Sequence, residues 1–187
     1  DLEPLDKCVS FNGGQNEQGI FQANKAIIQI KMPNAICNRV TFMWMAFNGA
    51  TALEYFSMPK AKFNLVTGIE KTNLTLFYNC SSLTYLDIRN ATFDNLVNTN
   101  NFALGCTSLV DLFVPNSSTL QKSITFKDSP LSYDSMIRVA DWLKNLTGDT
   151  AQTVTFKAAT YNALTSEQKA TLQNIIVTQK GWNLATA

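Results

Sequence analysis

Residues 46–58 read Ala46-Phe47-Asn48-Gly49-Ala50-Thr51-Ala52-Leu53-Glu54-Tyr55-Phe56-Ser57-Met58. The phrase returns at Phe77-Tyr78-Asn79-Cys80-Ser81-Ser82-Leu83-Thr84-Tyr85-Leu86-Asp87-Ile88. It returns again at Phe102-Ala103-Leu104-Gly105-Cys106-Thr107-Ser108-Leu109-Val110-Asp111-Leu112-Phe113-Val114. Each copy carries an aromatic residue, a small residue in a turn, and three apolar residues spaced three and two apart. Such a unit cannot bury its own apolar face and needs a copy stacked on either side, so the expected architecture is a solenoid.

Working outward, Ile27-Ile28-Gln29-Ile30-Lys31-Met32-Pro33-Asn34 reads as an earlier rung, because Met32-Pro33-Asn34 matches Val114-Pro115-Asn116. Aligning Met32, Met58, Ile88 and Val114 gives steps of 26, 30 and 26 residues, at or just beyond the leucine-rich repeat period. Alternation around Phe56/Met58, Leu86/Ile88 and Leu112/Val114 predicts short parallel strands with these residues pointing inward. Second apolar pairs, Phe42/Trp44 and Leu74/Leu76, are expected on the back wall of each coil. Ile124/Phe126 follows Val114 too closely for another full coil and is placed there too. Residues 1–25, with Gly13-Gly14, read as an entry cap or linker remnant; the repeats are assigned to 26–131.

The segment 132–187 predicts a cap that alternates helix and strand. Ser132 suits an N-cap, and Met136, Val139/Ala140, Leu143 and Leu146 recur at helical spacing up to Gly148. Thr153-Val154-Thr155-Phe156 reads as a strand. Thr165-Ser166-Glu167-Gln168 is a capping box opening a second helix that closes at Lys180-Gly181, and Trp182-Asn183-Leu184 is a final strand, Leu184 lying 28 residues after Phe156. A parallel pair with a helical connection calls for a right-handed crossover. Helices here would cover an open sheet edge.

Composition narrows function. With 15 Lys and Arg against 14 Asp and Glu, the chain has no basic footprint for nucleic acid. No histidine is present, which removes the commonest general base and metal ligand. The expectation is therefore no catalysis, no cofactor and no metal. Cys8, Cys37, Cys80 and Cys106 form no Cys-x-x-Cys pair. Because Cys80 and Cys106 share a column with Ala50, they read as buried small residues with free thiols. No apolar run is long enough to span a bilayer. A chain opening Asp1-Leu2-Glu3-Pro4 reads as a processed form or excised piece.

The segments 46–53, 77–83 and 104–109 resemble the Phe-x-x-Cys-x-x-Leu core of the BspA-like leucine-rich repeat family. The tail, Ser129-Pro130-Leu131-Ser132 through Leu164–Lys169 to Lys180–Leu184, is similar to the segment that often closes such arrays in gut bacteria and their prophages. The resemblance covers roughly residues 26–187. Ala50 in place of cysteine and the uneven rungs depart from the pattern. The implied fold is mixed α/β and β-rich: a right-handed leucine-rich repeat solenoid of short parallel strands with a C-terminal helix-strand-helix-strand cap. The implied function is non-enzymatic: a secreted or bacterial cell-surface adhesion module that recognises a host or microbial protein or a glycan. The alternative is a structural component of a phage tail or baseplate. Other domains of a longer chain are expected among its partners.

Outward residues of stacked strands align in columns about 4.8 Å apart. Two are expected, Gln29, Tyr55, Tyr85 and Asp111, and Lys31, Ser57, Asp87 and Phe113. Tyr55 and Tyr85 would form a stacking platform, Phe113 an apolar anchor, and Lys31, Asp87 and Asp111 polar contacts. The competing reading is an ordinary solvated sheet of cross-strand neighbours. Four to six rungs give a face on the order of 250 Å², against about 800 Å² per partner for a stable interface, so binding would be weak without flanking loops or many copies. A pairing of Asp87 with Asp111 for acid–base hydrolysis, calcium at Asp94–Asn101, and glycosylation of Asn73, Asn79, Asn90, Asn116 and Asn145 are weaker readings. Turn chemistry accounts for most of those asparagines. Trp142 and Trp182 are expected to pack the cap.

Overall fold

In the computed structural model, the repeated phrase folds into strands of three residues laid side by side. The structure describes residues 19–37, 39–40, 45–63, 75–91, 99 and 101–187. The expected back-wall residues Phe42, Trp44 and Leu74, together with Cys8, Gly13-Gly14, Asn73 and most of Asp94–Asn101, lie outside them. Among the described residues the fold is mixed α/β, with parallel strands in two sheets and no closed barrel.

The first sheet runs in chain order through β1 (Gln29–Lys31), β2 (Tyr55–Ser57), β3 (Tyr85–Asp87) and β4 (Asp111–Phe113). All neighbours are parallel. Ile30, Phe56, Leu86 and Leu112 pair in one buried row, as the alternation requires. Met58, Ile88 and Val114 follow as a second buried row. Met58 N–H donates to the Asp87 carbonyl at 2.9 Å and Ile88 N–H to that of Phe113 at 2.8 Å, carrying the ladder past the strand ends.

The turn preceding each strand stacks by the same rule. Gly49 N–H donates to the Tyr78 carbonyl at 2.7 Å and Asn79 N–H to that of Leu104 at 2.8 Å. Gly49, Asn79 and Gly105 all have positive φ, 70°, 59° and 80°, the conformation glycine and asparagine reach most cheaply. Ala23 N–H bonds the Asn48 carbonyl with φ 54°, so the pattern extends into the stretch expected as an entry cap. Phe21, Phe47 and Phe77 stack face to face at 5.3 and 5.4 Å.

One alignment changes. Phe47 N–H bonds the Leu76 carbonyl and Phe77 N–H bonds the Phe102 carbonyl, so Phe102 occupies the place of Leu76, and Ala103 that of Phe77. The stack of phenylalanines accordingly ends with Phe102 edge-on to Phe77 at 84°. The cysteine column also does more than fill volume. Cys80 Sγ donates to the Phe47 carbonyl and Cys106 Sγ to the Phe77 carbonyl, each at 3.0 Å, joining each turn to the preceding one. Both are free thiols, and Cys37 is likewise buried.

Ile124/Phe126 does not end as an isolated back-wall pair. It is β5 (Ile124–Phe126), which opens a second parallel sheet with β6 (Thr153–Phe156) and β7 (Asn183–Thr186). β6 and β7 pair Val154 with Leu184 and Phe156 with Thr186. Helix α1 (Tyr133–Trp142) begins at Ser132, whose hydroxyl accepts from Ser135 N–H. It stops well before Gly148, because Leu143 turns extended and bridges Leu120. Lys180 Nζ caps the exit, donating to the carbonyls of Ala140, Asp141 and Leu143 at 2.6–2.9 Å. Between β6 and β7 lie a short helix the pattern did not reveal, α2 (Ala158–Asn162), and α3 (Ser166–Gln173). The latter opens with the expected capping box and runs into a π-helical turn, Asn174–Gln179. Trp142 and Trp182 are buried, and Trp182 Nε1–H donates to the Lys144 carbonyl.

Helix α1 closes the β4 edge. Ser135 Oγ accepts from Leu112 N–H at 3.0 Å and donates to the Val110 carbonyl at 2.9 Å. Asp128 does the same for the turn, its carboxylate accepting from Gly105 N–H at 3.0 Å where the next carbonyl of the ladder would stand. Edge groups that would otherwise be orphaned are thus satisfied by side chains.

Candidate functional site

Strand alternation puts the eight candidate residues on one side of the first sheet, in the two columns expected. Gln29, Tyr55, Tyr85 and Asp111 pair in register, as do Lys31, Ser57, Asp87 and Phe113. Gln29, Lys31 and Asp111 are exposed, while Tyr55, Ser57, Tyr85 and Phe113 are half-buried.

The aromatic residues form a continuous ladder. Tyr55 and Tyr85 stack at 4.4 Å with rings 1° from parallel, and Phe113 follows at 5.2 Å, tilted 41°. Lys31 Nζ lies 4.8 Å from the Tyr55 ring centre. At the far end, the guanidinium carbons of Arg89 and Arg138 lie 4.7 and 4.1 Å from the Phe113 ring centre. Cations thus close both ends of a column of ring faces, where the ring quadrupole attracts them. Neither arginine was among the expected site residues. Arg89 is readable in retrospect, since it follows Asp87 by two residues, whereas Arg138 arrives on α1 and has no counterpart in the strand pattern.

Two expectations need correction. Asp87 was placed outward as a polar contact, yet it is only 3% exposed. Its carboxylate accepts from Arg89 Nε at 2.9 Å, Arg89 Nη2 at 2.7 Å and Arg89 N–H at 3.2 Å. The bidentate guanidinium covers it, so a ligand meets Arg89, which is half exposed. The tyrosines were expected to offer their faces for stacking. Those faces are turned to each other, to Lys31 and toward Phe113, and the Tyr85 hydroxyl donates to Asp87 Oδ2 at 3.5 Å, leaving ring edges outward.

Tyr85 is a perturbed group of the site. Burial, then the Asp87 charge and neighbouring Tyr55, push its hydroxyl up to about 12 from 10.0. The hydroxyl therefore stays protonated across the physiological range and donates to Asp87. Asp87 and Asp111 occupy different columns, and the carboxylate of Asp87 is bound to Arg89, which leaves no free pair for acid–base work. Among the described residues, no group of three His, Cys, Asp or Glu could hold a metal ion. Among them also, no helix is long and apolar enough to cross a membrane.

The asparagines do turn work. Asn34 Oδ1 accepts from Lys60 Nζ, Asn90 Nδ2 donates to the Pro59 carbonyl, and Asn145 Oδ1 accepts from Thr147 N–H. Compared with known proteins, the chain matches no protein-family model, no curated protein and no solved structure.

Proposed function

We propose that this chain is a non-enzymatic interaction module, a short BspA-like leucine-rich repeat solenoid that is secreted or displayed on a bacterial surface. It recognises a protein ligand through the outer face of its first sheet. Supporting the solenoid reading are the in-order parallel strands, the turn pairing repeated from Ala23 to Gly105, and the stacked phenylalanines. The observation that carries the functional reading is the ladder Lys31–Tyr55–Tyr85–Phe113–Arg138. Half-exposed tyrosine, phenylalanine and arginine are the residues that dominate protein interfaces.

Ring orientation favours protein over sugar at this face. A pyranose stacks on a ring face, and these faces are already occupied by neighbours. Outward ring edges instead suit backbone carbonyls and polar side chains of a protein loop. The ladder is pre-organised, so little rotamer entropy is lost on contact. Four short strands offer only on the order of 200 Å², and affinity must be completed by the rims or by many copies on one surface.

The test begins with an extracellular-protein array and continues with surface plasmon resonance on the hit. Tyr55→Ala/Tyr85→Ala is expected to retain its far-ultraviolet circular dichroism and to lose about a hundredfold in affinity, in line with hot-spot residues. Unchanged affinity in the folded double variant would refute the assignment of this face.

A further inference from the structure

The chain leaves each strand through a turn of similar sequence, Met32-Pro33-Asn34-Ala35, Met58-Pro59-Lys60-Ala61, Ile88-Arg89-Asn90-Ala91 and Val114-Pro115-Asn116-Ser117. Stacked, these turns form a ridge with two grooves along it. One, of about 400 Å³, is lined among the described residues by Ile36, Lys60, Lys62 and Asn90. The other, of about 240 Å³, is lined by Arg89, Asn90, Pro115, Asn116 and Ser117, together with the small Ala91. Asn90 lines both, so the two make one trough that crosses the turns at right angles to the strands.

The lining is one-sided in charge. It contains Lys60, Lys62 and Arg89 and, among the described residues, no carboxylate. Arg89 is answered from the sheet by Asp87. Lys60 spends one proton on Asn34 Oδ1, and no carboxylate pairs with Lys60 or Lys62 among the described residues. Both lysines are exposed, on a chain whose net charge is only +1. Beside the cations stand planar amides and a hydroxyl, Asn90, Asn116 and Ser117, with the apolar Ile36 and Pro115 between them. Positive charge alone would accept any polyanion. Charge interleaved with amide and hydroxyl groups and small apolar surfaces matches a chain of hydroxylated rings carrying an anionic group at intervals.

We propose that this trough binds an acidic polysaccharide, with uronate carboxylate or sulfate groups seated on Lys60, Lys62 and Arg89. The site shares Arg89 with the Phe113 end of the aromatic ladder but is otherwise built from the turns beyond the strands, and it does not depend on the reading given to the ladder. The ligand would run along the ridge, one turn advancing about 4.8 Å, so that one acidic disaccharide of about twice that length spans the cations of successive turns.

The probes are polygalacturonate and heparin, with dextran as the neutral polymer and poly-glutamate as the acidic polypeptide, measured by calorimetry at 50 and 200 mM salt. At least one acidic glycan is expected to bind, more weakly at the higher salt, and dextran not to bind. Lys60→Ala/Lys62→Ala is expected to weaken binding about three- to twentyfold, the product of two exposed ion pairs, with unchanged thermal unfolding. Lys122→Ala/Lys127→Ala removes the same charge from the second-sheet region and should leave affinity within about twofold. Failure of both glycans to bind would overturn the proposal, as would equal losses in the two double variants. Poly-glutamate binding as tightly as the glycans would also overturn it, by showing a surface for acidic polypeptides instead.

Discussion

The thiol of Cys80 should make the protein lose stability in alkali, and replacing it with alanine should remove that loss. Cys80 is fully buried, with Sγ donating to the Phe47 carbonyl at 3.0 Å. Burial pushes the thiol up to about 12 from 9.0. Between those values the unfolded chain releases a proton that the folded chain keeps. Unfolding is then favoured as pH rises, by about 1.4 kcal/mol per unit above 9. The stability supplied by the neutral thiol is complete below pH 9 and is lost toward 12. At pH 10.5 the wild-type chain should therefore have lost about 2 kcal/mol on this account, while Cys80→Ala, with nothing to titrate there, loses none of it. At pH 7 the order reverses. The variant gives up the thiol contact and some packing, a cost of about 1 kcal/mol. The difference between the two proteins should change sign near pH ~9.7, where about 1 kcal/mol of alkaline loss offsets that contact. Urea denaturation at pH 7, 8.5, 9.5 and 10.5 reads it directly, and subtracting the two curves cancels the titrating groups remote from Cys80, while neighbouring Cys106 titrates in both. A difference that stays constant from pH 8.5 to 10.5 would refute the reasoning, because it would mean the thiol is as free to ionise folded as unfolded.

The remaining predictions concern the ends of the ladder and its turns. Ser135→Ala should cost about 1–3 kcal/mol in denaturant unfolding and selectively speed hydrogen exchange at the Leu112 amide, which loses its acceptor; unchanged protection there would contradict the edge-sealing role. Gly105→Ala should cost at least about 2 kcal/mol, from a left-handed alanine and from a Cβ that would collide with Asn79 Oδ1. A loss below about 0.5 kcal/mol would show that the turn relaxes freely.

Strand positions and both outer columns were legible because alternation and turn residues repeat together, so one alignment of Phe56, Leu86 and Leu112 sets every neighbour. An aromatic residue does not mark the same place in every turn. Phe102 looks like Phe77, but hydrogen bonding aligns it with Leu76, whereas the turn residue before each Ala50, Cys80 or Cys106 and the leucine three residues after that alanine or cysteine keep a constant place. The first turn escaped notice because Phe21-Gln22-Ala23 shares neither the cysteine nor the leucine, and its membership shows only in the backbone of Ala23. Helix α2 buries no residue and so leaves no periodic trace. The helical periodicity overruns α1 because Leu143 and Leu146 are apolar at helical spacing, yet they are buried by tertiary contacts after the helix has ended. At the candidate site, the residues were identified but not their aim. Spacing says that Tyr55 and Tyr85 are neighbours, and it does not say that their rings close against each other.

Ser135 lets a helix impersonate a strand. One hydroxyl supplies both the acceptor and the donor that a further parallel neighbour would bring to Leu112 and Val110. The closing piece thereby docks onto backbone groups that every turn presents in the same way, whatever side chains that turn displays outward. Whole turns could be inserted or deleted ahead of it, and the outward surface rewritten at will, while the same stopper continues to fit.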